Sequence, residues 1–287
     1  MFPVSDKEYR NWRAARLDQC PAGAHDVLID INGLTSLTAI ERAAIKSTVN
    51  HANMAIYSCR DQTVNRAAII AFGRHFGLTR LDHHLCANDD GVSELTVASD
   101  DARGGYVPYS NRSLSWHTDG YYNEAPERVA AVILHCDQDA ESGGENEVLD
   151  PELAYIRLRD ENPAFVEAFE HPNCMTIPAN VSGKKEIRAA VSGPVFSFDG
   201  PGGVLHMRYS ARKRNIQWRD DAKTTAAREC LTEFLGREDG PVIRFSLKPG
   251  QGLISNNVLH NRTAFRDSAT QKRLLYRARF FDRVDSS

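Results

Sequence analysis

The segment SLSWHTDGYY, residues 113–122, contains the residue types most able to do chemistry. Side chains two apart on a strand point to the same face, so His117 and Asp119 are predicted to project side by side. An imidazole and a carboxylate together suit a divalent first-row metal ion better than calcium. Two ligands alone make a weak site, and a solvated polar pair on a sheet is the alternative interpretation of the same residues.

A second histidine in a strand context lies far downstream. His260 follows the apolar stretch GLISNNVL, which is predicted to be a strand. Two histidines and one carboxylate on one face of the metal are the ligands of many non-haem Fe(II) oxygenases, and they leave open positions for substrate and oxygen. Ligands far apart in sequence are expected when they come from distant strands of one barrel. Taken alone, His260 is more typical of a hydrogen-bonded structural histidine.

Arg273 lies thirteen residues after His260, inside the segment KRLLYRARFF, where the next strand is predicted to return past the histidine. A guanidinium in this position can bind a carboxylate through two parallel hydrogen bonds, which suits a dicarboxylate cosubstrate. By itself, Arg273 is also what a charged position on a surface strand looks like. The combination with the histidines and the aspartate is what favours a site.

In combination, these segments resemble the Fe(II)/2-oxoglutarate-dependent dioxygenases of the taurine dioxygenase and clavaminate synthase-like group, the TauD/TfdA family. The resemblance runs from about residue 28 to 281. The segments that carry it, in chain order, are AIIAFGRHFG, WHTDGYY, SGGEN, LKPGQGLISNNVLHNRTAF and RLLYRARF. Their order and spacing make the match specific, although no single segment is.

The resemblance implies a role for several residues of this sequence. His117, Asp119 and His260 match the three iron ligands, and Arg273 matches the arginine that binds the distal carboxylate of 2-oxoglutarate. Arg277 matches a second arginine that lies near the cosubstrate or an anionic substrate. Two further positions complete the comparison, since Asn146 stands where several relatives have a threonine that contacts 2-oxoglutarate, and Ser255-Asn256 stands near the place of an Asp-Asn pair.

The resemblance also implies the reaction: Fe(II) is the metal, and 2-oxoglutarate and O2 are consumed as succinate and CO2 are released. The C–H bond of a small, polar or anionic molecule is oxidised, most simply by hydroxylation, and an amino acid, carboxylate or sulfonate would fit. Related halogenases have Gly or Ala in place of Asp119, so the carboxylate favours oxygenation. A catalytically silent jelly-roll protein that binds a small ligand is the alternative.

Four further residues are candidates for substrate contact. His206, Arg208 and Tyr209 fall in the segment between the two ligand motifs. In relatives this intervening segment lines the substrate pocket, and a solvated basic loop is the alternative. Tyr121 is expected on the strand that continues from the ligands, where it alternates with Tyr122. His135, at the end of AAVILHC, is instead typical of a structural core histidine.

These residues must be positioned by a fold that is mainly β with α elaborations. Helices are predicted within residues 36–52 and 61–78 and near 151–170 and 220–236, with Asp61 or Thr63 as N-cap of the second. Apolar strands are predicted at MAIYSC, AAVILHC, VIRFSL, GLISNNVL and RLLYRARFF. We expect a single domain, residues 1–287, with a double-stranded β-helix (jelly-roll) core at about 101–283 and helical support at about 1–100. A parallel α/β fold would need a regular strand–helix alternation that the last fifty residues lack.

Composition sets the remaining expectations. A net charge of -3 and a pI near 6.4 indicate no nucleic-acid partner. No apolar run is long enough to span a membrane, and the N-terminal segment has no secretory signal. The six cysteines are scattered without metal-binding spacing, which favours reduced thiols and a cytoplasmic location. Relatives in the resembling family often form dimers or larger assemblies, so a homo-oligomer is also among the expectations.

Overall fold

The computed structural model describes residues 5–61, 64–83, 88–97, 106–183, 185–199 and 203–284. Its helices are α1 (Asp6–Asp18), α2 (Ala39–Ala52), α3 (Arg66–Arg74), α4 (Pro151–Glu161), α5 (Pro163–Phe169) and α6 (Ala222–Leu235). The first strands are β1 (Leu28–Ile31), β2 (Met54–Cys59), β3 (Val92–Leu95), β4 (Leu114–His117), β5 (Ala131–Gln138), β6 (Ser142–Gly143) and β7 (Asn146–Leu149). Those of the middle segment are β8 (Met175–Ile177), β9 (Asn180–Ser182), β10 (Lys185–Arg188), β11 (Val191–Gly193), β12 (Phe196–Asp199), β13 (Val204–Met207) and β14 (Gln217–Trp218). The last are β15 (Ile243–Phe245), β16 (Gln251–Ser255), β17 (Leu259–Arg262), β18 (Phe265–Arg266) and β19 (Leu274–Phe280).

Two sheets form the centre of the molecule. The larger sheet has the order β1-β2-β16-β5-β19-β3, and the smaller has the order β15-β7-β17-β4. Among the described strands of these two sheets, β1 and β2 are the one parallel pair. A parallel α/β fold is therefore excluded, because such a fold requires crossover connections between parallel neighbours.

A hydrophobic layer lies between the two sheets. Leu253 and Leu275 of the larger sheet belong to the same buried cluster as Val148 and Ile243 of the smaller one. Along β19 the side chains alternate, so that Leu275 is in this layer whereas Ala278 and Phe280 belong to the cluster that α2 and α3 help to form. Two sheets that are antiparallel except for the β1–β2 pair surround a shared core, which confirms the predicted mainly β fold with a jelly-roll core. The sheets remain open and do not close into a barrel.

The N-terminal hundred residues contribute more than helical support. Strands β1, β2 and β3 belong to the larger sheet, at its two ends, together with β5, β16 and β19 from the later part of the chain. One sheet thus contains strands from both halves of the sequence. Among the described residues, no helix is both long and apolar enough to cross a membrane.

Local signals explain where the helices begin and end. The predicted helix at 36–52 is α2, which starts at a capping box of Thr38 and Glu41. The predicted helix near 151–170 is two helices, because Asn162 has an extended backbone before Pro163 and caps α5. The N-cap of α3 is Asn65, whose side chain accepts a hydrogen bond from Ala68 N. The prediction of Asp61 or Thr63 was wrong, and Thr63 lies outside the described residues.

Gly252 leaves the space in which two neighbouring side chains meet. It pairs with Tyr57 on one side and His135 on the other, and the Tyr57 hydroxyl lies 3.2 Å from His135 Nδ1. His135 is 1% exposed, in agreement with the structural role predicted for it. A Cβ at position 252 would lie 2.2 Å from the Tyr57 hydroxyl oxygen and 2.5 Å from the Leu134 carbonyl oxygen.

We therefore expect Gly252→Ala to lower the free energy of unfolding by about 3 kcal/mol, because a methyl group has no room between backbone and ring. Urea unfolding of the purified variant measures this change. Gly236→Ala is the matched control, since a Cβ there would meet its nearest atom at 3.5 Å. Equal midpoints for the two variants would contradict the close approach at Gly252.

Candidate active site

Two histidines face each other across neighbouring strands. His117 on β4 pairs in register with His260 on β17, and their ring centres are 4.3 Å apart. His260 was predicted to lie at the end of the apolar strand that precedes it, and this prediction was wrong. That strand, β16, ends at Ser255, and Asn257 in the intervening turn has a left-handed φ of 51°. His260 instead belongs to a new strand in the opposite sheet.

The same local hydrogen bond orients both imidazoles. His117 Nδ1 lies 2.9 Å from the carbonyl oxygen of Ser115, and His260 Nδ1 lies 2.8 Å from that of Val258. A carbonyl oxygen only accepts, so each Nδ1 carries the proton and donates it. Each Nε2 is then left with its lone pair, the form that binds a metal ion. Burial, and next the neighbouring His260, lower the pKa of His117 to about 3, which keeps its ring neutral.

Asp119 lies just beyond the end of β4 rather than on it. The chain turns at Gly120, which has a φ of 67°, and Tyr121 and Tyr122 follow in that turn. The predictions that Asp119 shares a strand with His117 and that the two tyrosines alternate across it were therefore wrong. The carboxylate nevertheless lies beside the histidines, because one ligand atom from each of the three residues falls within 4.8 Å of the others.

The carboxylate of Asp119 carries a full charge. Arg277 Nη1 lies 3.1 Å from its Oδ1, and Arg279 Nη1 lies 3.8 Å from the same atom. Burial alone would raise the pKa of this carboxyl group, but the two guanidinium groups hold it well below its usual range. The other oxygen, Oδ2, is buried and has no hydrogen-bond partner among the described residues. A buried carboxylate oxygen without a partner is costly, and a metal ion would satisfy it.

The three residues fit a divalent metal ion. Two imidazole nitrogens and one carboxylate oxygen suit Fe(II), and the remaining coordination positions stay open for other molecules. We will refer to His117, Asp119 and His260 as the metal trio.

Arg277 and Arg279 project from β19 toward the metal trio. They share the face of Leu275, which lies in the layer between the sheets. Arg277 contacts Asp119, whereas the sequence places it near the cosubstrate or substrate. Arg279 was missed by the sequence analysis. Its guanidinium is 2% exposed and donates to the Tyr122 hydroxyl and the Asp82 carboxylate. The alternation of arginines in RARF was the signal that could have found it.

Arg273 and Asn146 line one cavity of about 160 Å³, at the other end of β19. Arg273 is 5% exposed, and among the described residues no carboxylate is hydrogen-bonded to its guanidinium. Burial lowers the pKa of Arg273 to about 10. A Cβ on Gly144 would lie 3.6 Å from Arg273 Nε, so the glycine leaves more space beside the guanidinium. The cavity is also lined by Asp139 and Glu141, but these carboxylates pair with Lys248 and Arg266. A buried cation without a carboxylate of its own is suited to binding an acid.

Arg262 is a second buried cation in this region, and the sequence analysis missed it. It lies two residues after His260 on β17, and its Nη2 donates to the carbonyl oxygens of Ser110 and Arg112. The guanidinium carbons of Arg262 and Arg273 lie 4.8 and 5.1 Å from the centre of the Phe265 ring. Burial, and next the charge of Arg273, lower the pKa of Arg262 to about 10.

The four predicted substrate residues are distributed unevenly around the trio. The Tyr121 ring packs edge-on against His117 at 6.3 Å, and its hydroxyl accepts a hydrogen bond from Arg212 Nη1 at 3.0 Å. Arg208 instead donates to the carbonyl oxygens of Tyr121, Met175, Gly193 and Val191. Four backbone acceptors occupy that guanidinium, so it ties chain segments together.

Tyr209 and His206 are not brought to the trio by their side chains. The Tyr209 backbone exchanges two hydrogen bonds with Thr118, but its ring packs near Trp218 in the helical core. His206 lies on β13 opposite Ser197, and no hydrogen bond or ring contact among the described residues joins it to the trio. Burial, and next Arg128, lower the pKa of His206 to about 3.

A jelly-roll core that holds two histidines and one carboxylate within ligand distance is typical of the mononuclear non-haem iron oxygenases. A family comparison agrees, since residues 16–279 match the family described as Taurine catabolism dioxygenase TauD, TfdA family. The chain belongs to this family. It is an Fe(II)- and 2-oxoglutarate-dependent dioxygenase, and it uses O2, as the sequence predicted.

Solved structures share the fold. The crystal structure of AAD-2 in complex with Mn(II) and N-oxalylglycine has a TM-score of 0.63 and 16% identity, with 90% of this chain and 96% of that chain covered. A taurine dioxygenase from Burkholderia xenovorans has a TM-score of 0.58 and 20% identity, with 88% and 87% covered. An asparagine oxygenase in complex with Fe(II), 2S,3S-3-hydroxyasparagine and succinate has a TM-score of 0.55 and 13% identity, with 96% and 92% covered.

Proposed function

We propose that this dioxygenase hydroxylates a C–H bond of a small polar or anionic molecule, with His117, Asp119 and His260 as its iron ligands. The observation that carries the ligand assignment is the buried, unpartnered Oδ2 of Asp119 beside two imidazoles whose Nδ1 atoms are already committed to carbonyl oxygens. When bound, Fe(II), 2-oxoglutarate and O2 supply the oxidising chemistry, and the cosubstrate leaves as succinate and CO2.

The side chains around the metal trio would hold and orient the reactants. Arg273 would bind the distal carboxylate of 2-oxoglutarate, and Asn146 would donate a hydrogen bond to it from the same cavity. Arg277 and Arg279 would keep the Asp119 carboxylate ionised and oriented, since both approach its Oδ1. The low exposure of His117 and Asp119 would limit the access of bulk water to the reacting atoms.

The substrate would enter beside Tyr121 and Arg212. Arg212 is exposed, and among the described residues its guanidinium forms no ion pair with a carboxylate. Its hydrogen bond to Tyr121 holds a positive charge next to the ring that packs on His117. Two structural neighbours are a taurine dioxygenase and an asparagine oxygenase in complex with 3-hydroxyasparagine. Taurine is a sulfonate and 3-hydroxyasparagine an amino acid, which supports a substrate of this chemical kind.

We expect Arg212→Gln to raise KM for an anionic substrate about 5-fold with little change in kcat, because an exposed charge steers binding more than it alters the reaction. Succinate release at varied substrate concentration measures both parameters. Arg237→Gln is the control, since Arg237 is exposed and its one ion pair in the described part of the chain is with Asp239. An unchanged KM for every acidic substrate would remove Arg212 from the proposed entrance.

The substrate class is tested by a screen of carboxylates, sulfonates and amino acids with the Fe(II)-loaded enzyme. Succinate release identifies a productive compound, and the mass of its product distinguishes a gain of one oxygen from desaturation or cleavage. Turnover of neutral apolar compounds alone would contradict the proposal. The cytoplasmic location expected from the sequence stays a prediction. A homo-oligomer stays a prediction for light scattering.

A further inference from the structure

Asn257 joins the iron-ligand segment to the turn before His260. We infer that Asn257 is a positioning residue that holds the backbone of Asp119 so that its carboxylate can bind the metal ion. This inference rests on the proposed ligand role of Asp119. The side chain of Asn257 is buried at 3% exposure, and its backbone has a φ of 51°. Asparagine tolerates this left-handed conformation better than most residues other than glycine. The conformation belongs to the turn between β16 and β17.

The amide of Asn257 binds the backbone of Asp119 from both sides. Asn257 Oδ1 accepts from Asp119 N at 2.8 Å, and Nδ2 donates to Asp119 O at 2.9 Å. This is the exchange of bonds that a neighbouring strand would provide, supplied here by a side chain because Asp119 lies beyond β4. The same Nδ2 also donates to Val129 O at 2.6 Å. The Asn257 side chain therefore links Asp119, just before Gly120, to Val129 after the turn.

Asp119 needs this anchor because other groups attract its carboxylate. Arg277 and Arg279 approach Oδ1 from β19 in the opposite sheet, whereas the proposed ligand role requires that a carboxylate oxygen stay beside the two histidines. The backbone of Asp119 determines which of these positions the carboxylate reaches. Asn257 also lies three residues before His260, so one short turn fixes two of the three proposed ligands.

Asn256 provides a matched comparison on the same turn. It is also buried, at 7% exposure, and its amide is hydrogen-bonded. Its partners are Asn53 and the backbone of Val284, and none of its described hydrogen bonds involves Asp119. Loss of the Asn256 amide should lower stability without moving the carboxylate.

The test is anaerobic titration of the metal-free protein with Co(II), followed by its visible absorption spectrum. Asn257→Gly keeps the left-handed turn and removes the amide. We expect its Kd for Co(II) to rise about 10- to 100-fold and the band positions to shift, as for other groups that orient metal ligands. Asn256→Ala should unfold at lower temperature yet bind Co(II) with the wild-type Kd and spectrum.

Asn257→Asp is the second variant, because it keeps the acceptor for Asp119 N and loses both donors. Circular dichroism tests whether each variant is folded. If Asn257→Gly is unfolded, Asn257→Asp provides the test, with an expected rise in the Kd for Co(II) of at least 5-fold. A folded variant with wild-type Kd and spectrum overturns the inference. Failure of the proposed function looks different, since Asp119→Ala would then bind Co(II) as tightly as the wild-type protein does.

Discussion

Asp119→Ala is expected to lower succinate formation at least 10³-fold, about 4 kcal/mol of activation free energy. The alanine removes the anionic ligand of the proposed metal trio, and two histidines alone hold Fe(II) weakly. It also leaves Arg277 without its ion-pair partner, so the metal-free variant should lose about 3 kcal/mol of unfolding free energy. Succinate assays and urea unfolding measure the two effects separately.

Asp82→Asn is the control for Asp119→Ala. Asp82 is also a buried carboxylate that accepts from Arg279, but it is not one of the three residues whose ligand atoms lie together. We expect this variant to lose stability and to bind Fe(II) within a few-fold of wild type. Wild-type turnover in Asp119→Ala would refute the assigned ligands.

Arg273→Gln is expected to raise KM for 2-oxoglutarate about 100-fold, which corresponds to roughly 3 kcal/mol of lost binding. The glutamine cannot form two charge-assisted hydrogen bonds to the distal carboxylate. The unfolding free energy of the cosubstrate-free protein should stay within about 1 kcal/mol of wild type or rise, because the buried cation has no carboxylate hydrogen-bonded to it among the described residues. Replacement of a structural arginine would lower the unfolding free energy, whereas replacement of this binding residue should not, so the stability measurement distinguishes the two roles.

Arg266→Gln serves as the control for Arg273→Gln. Arg266 is an arginine of the same region of the chain, its side chain is 75% exposed, and it pairs with Glu141 on the surface. Its replacement should leave the KM for 2-oxoglutarate unchanged. If Arg273→Gln bound 2-oxoglutarate like wild type and unfolded more easily, Arg273 would be a structural residue.

The proposed metal ligands could be predicted from the sequence because histidine is an uncommon residue and the order of the ligands along the chain is specific. His117, Asp119, His260 and Arg273 occur in the order and spacing of a family pattern, and each falls near a predicted strand. Continuous apolar runs also predicted β5, β16 and β19, because most residues of these strands are buried on both faces. These signals are local, and a single sequence contains them.

The residues that the sequence analysis missed or misplaced depend on long-range geometry. The turn at Gly120 moves Asp119 off β4, and the side chain of Asn257, 138 positions away in sequence, completes the missing pairing. Arg208 looks like part of a basic loop until the fold brings four carbonyl oxygens around it. Arg262 and Arg279 become visible only when the face of each strand is known. No local pattern encodes these contacts.

The most direct test of the account is anaerobic titration of the metal-free protein with Fe(II) in the presence of 2-oxoglutarate. We predict one Fe(II) per chain and a visible metal-to-ligand charge-transfer band that requires both components. The band should be absent in Asp119→Ala, and in Arg273→Gln it should need far more 2-oxoglutarate. No band in the wild-type protein, or an undiminished band in Asp119→Ala, would contradict the proposal that His117, Asp119 and His260 hold the catalytic iron.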